Sequence, residues 1–217
     1  MATQSKGQCT FCKKVYSKGG LSKHLASCKA RSDEKGTTKF FHLQIESEYD
    51  PIYWLHVEIP AMSDLEVLDK FLRDTWLECC GHLSAFNING QTYTQIFDDE
   101  WFAEDKDMTA KLNKIFSPGL KFTYEYDFGS TTHLKLKVVG TRTGKKVKEP
   151  VKILAQNNPP EILCHSCGKP ATEVCTMCIW EGTGWVCEDC AEKHECGVGY
   201  FLPVVNSPRV GVCGYIG

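Results

Sequence analysis

The sequence predicts an α+β fold, in which a mostly antiparallel central sheet carries one main helix and is flanked by two small cysteine-rich modules. In the middle of the chain, segments with alternating apolar residues outnumber the one segment with clear helical spacing. Most of the 13 cysteines of the 217-residue chain lie near its two ends, many of them in Cys-x2-Cys pairs. Polar or proline-containing stretches separate both ends from the middle.

Composition divides the chain into four predicted parts. Residues 1–30 form the first cysteine-rich module, and residues 31–38 are polar, lack large apolar side chains and are predicted to be a linker. The predicted central domain covers residues 39–158 and ends at the proline pair of "QNNPP", which interrupts a strand or helix. Residues 159–217 form the second cysteine-rich module.

The central domain carries the strand patterns. Apolar and polar residues alternate over residues 41–45 and again over 55–59, which predicts two paired strands. The dipeptide Asn89-Gly90 lies between two further alternating segments and predicts a hairpin turn. A second hairpin is predicted over residues 120–139.

The main helix is predicted from Asp64 to about Cys79, because apolar residues recur there at spacings of three and four. In the turn of the second hairpin, Gly129 is predicted to take the conformation that branched residues resist. Asp127 is predicted to support that turn rather than to catalyse a reaction.

The formal net charge of −2 is unevenly distributed. Residues 1–39 contain nine Lys or Arg against two Asp or Glu, which gives +7, and the remaining residues contain 16 against 25, which gives −9. An acidic loop is predicted around residues 98–100. This asymmetry favours a phosphate-seeking basic end on an acidic body.

The sequence predicts a cytoplasmic protein without a membrane partner. Its longest apolar run, "FLPVV", is far shorter than a membrane span, and the first residues lack the apolar stretch of an export signal. In a reducing compartment, cysteines in Cys-x2-Cys pairs indicate metal binding rather than disulfides.

Three stretches of the central domain, "DPIYWLHVEIP", "HLSAFNINGQTY" and "YEYDFG", resemble the plasmid pRiA4b ORF-three-like family of bacterial and archaeal plasmid and mobile-element proteins. The resemblance implies a compact α+β domain without a firmly established activity. The family's Asp, Trp and His after the Tyr-Asp-Phe-Gly stretch are replaced here by Ser130, Thr132 and Leu134. Much of the family's polar cluster is therefore missing from this chain.

Cysteine and histidine spacing in the first module follows Cys9-x2-Cys12-x11-His24-x3-Cys28. A Cys-x2-Cys turn presents two thiolates to one ion, and residues four apart on a helix complete a tetrahedral shell. The pattern resembles the ββα zinc finger with a cysteine in place of the final histidine. It predicts one closed, structural zinc site.

The finger is also predicted to contact nucleic acid through phosphates rather than bases. In ββα fingers, three side chains at and beyond the helix start reach base edges, and the matching positions here are Ser17, Gly20 and Lys23. Gly20 offers no side chain, so base reading is not expected. The predicted phosphate contacts are Lys13, Lys14, Lys18, Lys23, Lys29 and Arg31.

The second module contains three Cys-x2-Cys pairs and a closing His-x-Cys. The array resembles the B-box and related cross-brace zinc modules, in which alternate pairs share an ion. That resemblance implies one site of Cys164, Cys167, Cys187 and Cys190, and another of Cys175, Cys178, His194 and Cys196. Sequence spacing also allows a sequential arrangement.

Three structural zincs per chain are predicted from these twelve ligands, which leaves Cys79, Cys80 and Cys213 outside any site. Cys79 and Cys80 with His82 could form a thiol nucleophile and its base, but packing is the preferred interpretation, because the C-terminal end of a helix disfavours a thiolate.

The function predicted from the sequence is that of a non-enzymatic, zinc-stabilised protein of mobile-element type that associates with nucleic acid through the finger. Two alternatives stay open: an adaptor that holds another protein through its zinc modules, and an enzyme with a pocket in the central domain.

Overall fold

The computed structural model describes residues 5–31, 35–95, 104–146 and 148–217, apart from the side chain of Val198. The predicted acidic loop at residues 98–100 and residues 32–34 of the predicted linker lie outside these ranges.

Two compact units make up the chain. The first unit contains Met1–Leu72 and Leu83–Asn158, and the second contains Arg73–His82 and Pro159–Gly217. A ten-residue segment from the middle of the chain thus belongs with the C-terminal residues.

The first unit is built on a large sheet, in which ten strands are described. All neighbouring strands pair antiparallel except β6 and β7, as the predicted α+β fold requires. In chain order they are β1 (Lys6–Cys9), β2 (Val15–Ser17), β3 (Thr38–Ser47), β4 (Trp54–Pro60), β5 (Ser84–Ile88), β6 (Gln91–Thr94), β7 (Lys106–Asp107), β8 (Lys121–Tyr126), β9 (Thr132–Gly144) and β10 (Lys152–Asn157). Their order across the sheet is β2-β1-β10-β4-β3-β9-β8-β5-β6-β7.

Three helices accompany this sheet in the described part of the first unit: α1 (Lys18–Ser27), α2 (Leu65–Leu72) and α3 (Leu112–Ile115). The helix predicted from Asp64 to about Cys79 is α-helical only as far as Leu72. A π-helical turn, Arg73–Leu77, follows it directly. The apolar spacing did not reveal the change from α-helix to π-helix. Trp76 and Leu77 are buried in the π turn as they would be in an α-helix, so the pattern of apolar residues looks the same.

Both predicted hairpin turns are present. Asn89 and Gly90 take positive φ angles of 54° and 80° between β5 and β6, as the dipeptide predicts. In the turn between β8 and β9, however, the left-handed residue is Asp127, with φ of 65°, and the prediction for Gly129 is wrong. The Asp127 Oδ1 atom accepts a hydrogen bond from the Gly129 N–H at 3.0 Å, so its carboxylate supports the turn.

The first strand of the finger continues the central sheet. Strand β1 pairs with β10, with Gly7 opposite Asn157 and Cys9 opposite Ala155. A Cβ atom at Gly7 would lie 2.1 Å from the Gln156 carbonyl oxygen and 2.4 Å from the Trp54 ring. Only glycine therefore allows this pairing at its present spacing.

The second unit contains a three-stranded sheet with the order β12-β11-β13. These strands are β11 (Glu173–Cys175), β12 (Trp185–Val186) and β13 (Phe201–Pro203), with the short helix α4 (Glu188–Ala191) and single 3₁₀ turns at Ile179–Glu181 and Val198–Tyr200. Cys164 and Cys187 are part of its small buried cluster with Val186 and Ala191. Cysteines thus occupy positions that larger apolar residues fill in an ordinary core.

Within the described ranges, no helix is both long enough and apolar enough to span a membrane.

We expect the substitution Gly7→Ala to lower the free energy of unfolding of the metal-loaded protein by about 3 kcal/mol, because the added methyl group overlaps a backbone oxygen. Gly19→Ala is the matched control, because Gly19 is an exposed helical residue with nothing within 4 Å of the added atom. The control substitution should raise the free energy of unfolding by up to about 1 kcal/mol. Urea denaturation measures both, and equal stability of the two variants would contradict the β1–β10 pairing.

Candidate metal centres and a basic groove

Cysteine and histidine side chains meet in four groups among the described residues. In each group, one ligand atom per residue lies within 4.8 Å of the other three. Three groups contain the twelve residues selected from the sequence. The fourth, Cys79, Cys80, His82 and Cys213, was not predicted.

The finger group comes from β1, the turn after it, α1 and the residue after α1. The Cys9 and Cys28 Sγ atoms are 3.9 Å apart, and the Cys12 Sγ atom is 3.3 Å from His24 Nε2. Zinc bonds of about 2.3 Å to sulfur and about 2.0–2.1 Å to nitrogen would separate two sulfurs of a tetrahedron by about 3.8 Å, and a sulfur and a nitrogen by about 3.6 Å. The residues present therefore fit this ion.

Local structure holds the finger group in place. Lys13 takes a φ of 61°, and its N–H donates to the Cys9 carbonyl oxygen at 2.9 Å, which closes the Cys-x2-Cys turn. Helix α1 begins after Ser17, whose Oγ atom accepts from the Gly20 N–H at 3.3 Å. The Tyr16 ring stacks on the His24 ring with centroids 4.3 Å apart.

The finger packs directly on the central sheet. Leu21 and Leu25 of α1 share a buried cluster with Trp54, Leu154 and Ala155 of strands β4 and β10. Cys9 and Cys28 belong to the same cluster. A metal held there would lie next to the apolar core and would stabilise the fold.

In the second unit, the structure forms the two groups that the cross-brace arrangement predicts, rather than those of the sequential alternative. The Cys167 and Cys187 Sγ atoms are 3.6 Å apart. The Cys178 Sγ atom lies 3.4 Å from His194 Nε2 and 3.5 Å from Cys196 Sγ. Cys196, whose His-x-Cys spacing is unusually tight, therefore lies within its group.

The electrostatics of these thiols favour a bound cation. Burial raises the pKa of Cys164, but backbone N–H donors from Cys187, Cys167 and Ser166 outweigh it and lower this pKa to about 6. In the same group, neighbouring thiols raise the pKa of Cys190 to about 12. Such a crowded set ionises fully only when a cation neutralises it, and thiolates are the form that binds metal.

Sequence reasoning missed the fourth group because its members do not form Cys-x2-Cys pairs and Cys213 is 131 residues from His82. The stretch Cys79-Cys80-x-His82 already holds three possible ligands within four residues, and Cys213 is the one remaining cysteine outside the three predicted groups. Together these were the available signal.

A groove of about 1020 Å³ runs between the end of the finger and strands β3, β4 and β9 of the same unit. Arg31 and Arg142 both form ion pairs with Glu58 in its wall. Lys29 and Lys35 also line it.

Two histidines lie close together in this region: His42 lines the groove, and His56 is buried beside it. His42 Nε2 is 2.9 Å from His56 Nδ1. Burial and the charge of Arg31 lower the pKa of His42 to about 4, and burial together with His42 lowers the pKa of His56 to about 3. Both rings are therefore neutral near pH 7, and they add no charge to the groove.

The six predicted phosphate-contacting residues divide into two sets. Lys18 forms an ion pair with Glu46, and Arg31 forms one with Glu58. The other four are exposed and form no ion pair with a carboxylate of the described residues: Lys13, Lys14, Lys23 and Lys29.

Fold and site together define an α+β protein with candidate metal centres at both ends of the chain and a basic groove beside the first. A family model described as "Plasmid pRiA4b ORF-3-like protein" matches residues 39–167, and the chain belongs to this family. The crystal structure of a protein of unknown function, MM3350 from Methanosarcina mazei Go1, is 19% identical with a TM-score of 0.49, covering 56% of this chain and 70% of that one. A comparison with the curated proteins finds no match.

We expect Cys178→Ser to reduce the bound metal by one ion per chain, because its sulfur lies against both His194 and Cys196. Met177→Ser is the matched control, since Met177 is an exposed residue of the same Cys-x2-Cys turn without a ligand atom in the group. Elemental analysis of the purified proteins measures the difference. Equal metal content in the two variants would contradict the assignment of this group.

Proposed function

We propose that the protein is a non-enzymatic, zinc-stabilised member of its family that binds the phosphate backbone of nucleic acid through the finger and the adjoining groove. The observation that carries this proposal is the set of exposed lysines on the finger beside a groove with a positive wall. Phosphate contacts of this kind give salt-dependent and sequence-tolerant affinity.

Zinc is the metal that best suits the three predicted groups. They contain ten cysteines and two histidines, and no carboxylate of the described residues joins any of them. Thiolate-rich sets of four select zinc in closed structural sites, whereas catalytic sites keep a position for water. We assign these three ions a role in folding.

The charge of the groove supports an anionic partner. Among its lysine, arginine and glutamate side chains, four cations stand against the single carboxylate of Glu58, which gives +3. Both arginines are held by that carboxylate, so their positions are set before a ligand arrives. Lys29 and Lys35 also line the groove, and their ammonium groups are further hydrogen-bond donors for phosphate oxygens.

The way in which α1 packs argues against base reading. Lys18 of α1 pairs with Glu46, and the Ser22 hydroxyl lies 3.4 Å from Gln44 Oε1, so this face of the helix is directed at the sheet. Gly20 has no side chain to offer. A helix that reads bases must place several side chains in the major groove, and Lys23 is the exposed one of the three reading positions.

A second function, protein binding, is favoured by one observation in the second unit. Trp180 is 73% exposed and Met177 is 58% exposed. They lie on either side of Cys178 in the sequence. Large exposed apolar side chains of this kind are common at binding sites for other proteins. A co-purifying polypeptide that is lost in Trp180→Ala, without loss of zinc, would support this adaptor function.

We expect Lys23→Ala/Lys29→Ala to weaken binding to mixed-sequence DNA and RNA and to reduce the slope of log affinity against log salt by about 1 for each lysine. Lys114→Ala/Lys148→Ala is the matched control, because both residues are exposed in the same unit and neither lines the groove. Fluorescence anisotropy at several salt concentrations measures both pairs.

Point variants are preferable to deletion of the finger, because removal of β1 would expose the edge of β10 and the cluster beneath α1. Absence of binding by the wild-type protein at about 50 mM salt would overturn the proposal. An equal loss in both double variants would show that the interaction does not involve the finger surface.

A further inference from the structure

We propose that Cys79, Cys80, His82 and Cys213 form a fourth zinc site, which fastens the end of the chain to the segment Arg73–His82 of the second unit. This inference is independent of nucleic-acid binding. It raises the expected content from three ions to four.

The ligand atoms are already arranged around one point. The Cys80 Sγ atom lies 3.4 Å from Cys79 Sγ, 3.4 Å from Cys213 Sγ and 3.0 Å from His82 Nε2. Cys213 Sγ lies 3.6 Å from the same nitrogen. These separations resemble those of the three predicted groups and match or fall slightly below the edges of a zinc tetrahedron, about 3.8 Å for two sulfurs and about 3.6 Å for sulfur and nitrogen.

The backbone brings these residues together by specific turns. Gly81 takes a φ of 75°, a left-handed conformation that reverses the chain between Cys80 and His82. Cys213 itself takes a φ of 55°, a left-handed conformation that is unfavourable for a residue with a side chain. A bond to a metal would offset this cost.

Contacts outside the group hold the last residues of the chain in position. Ser207 is buried, and its hydroxyl donates to the Trp76 carbonyl oxygen at 2.6 Å. Val210 and Tyr215, on either side of Cys213, are buried as well. Packing therefore presents the Cys213 thiol to the other three ligands, as in a preformed site.

A buried cation next to the group supports a net negative centre. Arg209 has no exposed surface, and its guanidinium donates to the Cys79 Sγ atom at 3.5 Å. Zinc with three thiolates and a neutral imidazole carries a net charge of −1, which complements this arginine. Hydrogen bonds to ligand sulfur from the surroundings are a usual feature of metal sites.

Solvent access distinguishes this site from the other three. Each of the predicted groups contains at least one buried cysteine, whereas Cys79 and His82 are half-buried and Cys80 and Cys213 are exposed. A chelator in solution reaches exposed ligands first. We therefore expect the fourth ion to be the first one lost.

Elemental analysis of the full-length protein, purified with zinc, tests the site. We expect four zinc ions in the wild type and three in Cys80→Ser and in Cys213→Ser. Gly214→Ser is the matched control, because it places the same hydroxymethyl group next to the site, in open space, and should retain four ions.

Alkylation of the native wild-type protein gives a second readout that does not depend on how the variants fold. With zinc bound, Cys79, Cys80 and Cys213 should resist alkylation despite their exposure, and a first equivalent of chelator should make these three reactive before any other cysteine. Peptide mass spectrometry identifies the labelled residues.

Two results would overturn the proposal. One is a wild-type content of three zinc ions with Cys80 and Cys213 alkylated at the rate of free thiols. The other is a disulfide within the group in protein purified under reducing conditions.

Discussion

The pairing of β1 with β10 is the constraint on which the arrangement of the first unit depends. It makes the finger part of the sheet, sets α1 against β3 and β4, and so defines one wall of the basic groove. The pairing requires a residue without a side chain at Gly7, because the Gln156 carbonyl and the Trp54 ring occupy the space of a Cβ atom. A metal ion bound by Cys9 and Cys28 would stabilise the same few strands as the burial of Leu21 and Leu25.

In the second unit, the Cys/His groups take the place of an extensive apolar core. Its strands are two or three residues long, and its buried cluster combines cysteines with small residues such as Val186 and Ala191. Small folds of this kind bury too little apolar surface to offset the loss of chain entropy, so cross-links usually supply the difference. No disulfide joins any of the 13 cysteines, all of which lie within the described ranges and belong to the four Cys/His groups, so metal ions bound there would be the cross-links. Groups that join residues far apart in sequence restrict the unfolded chain most.

Local signals allowed much of this fold and of the three expected sites to be predicted. Alternation and turn dipeptides report contacts between near neighbours, which is why the strand pairs and the Asn89-Gly90 hairpin were predictable. A Cys-x2-Cys pair supplies two of the four ligands of a metal site within four residues of sequence. The β1–β10 pairing joins residues about 150 positions apart, and Cys213 meets His82 across 131. Neither contact produces a periodic pattern in the sequence, so both could be identified only from the folded structure.

Glu58 fixes the positions of the two arginines in the wall of the groove. This carboxylate is 3% exposed and lies between Arg31, just beyond the finger, and Arg142 of β9. Losing it would leave two guanidiniums without their shared counter-charge in a poorly solvated place, which is costly, so the trio is an integral part of the fold. Two arginines held by one carboxylate keep a net positive charge and a fixed geometry. Lys29 and Lys35 line the groove beside them, and such a surface would suit a regularly spaced phosphate chain, the partner we propose, better than a particular base sequence.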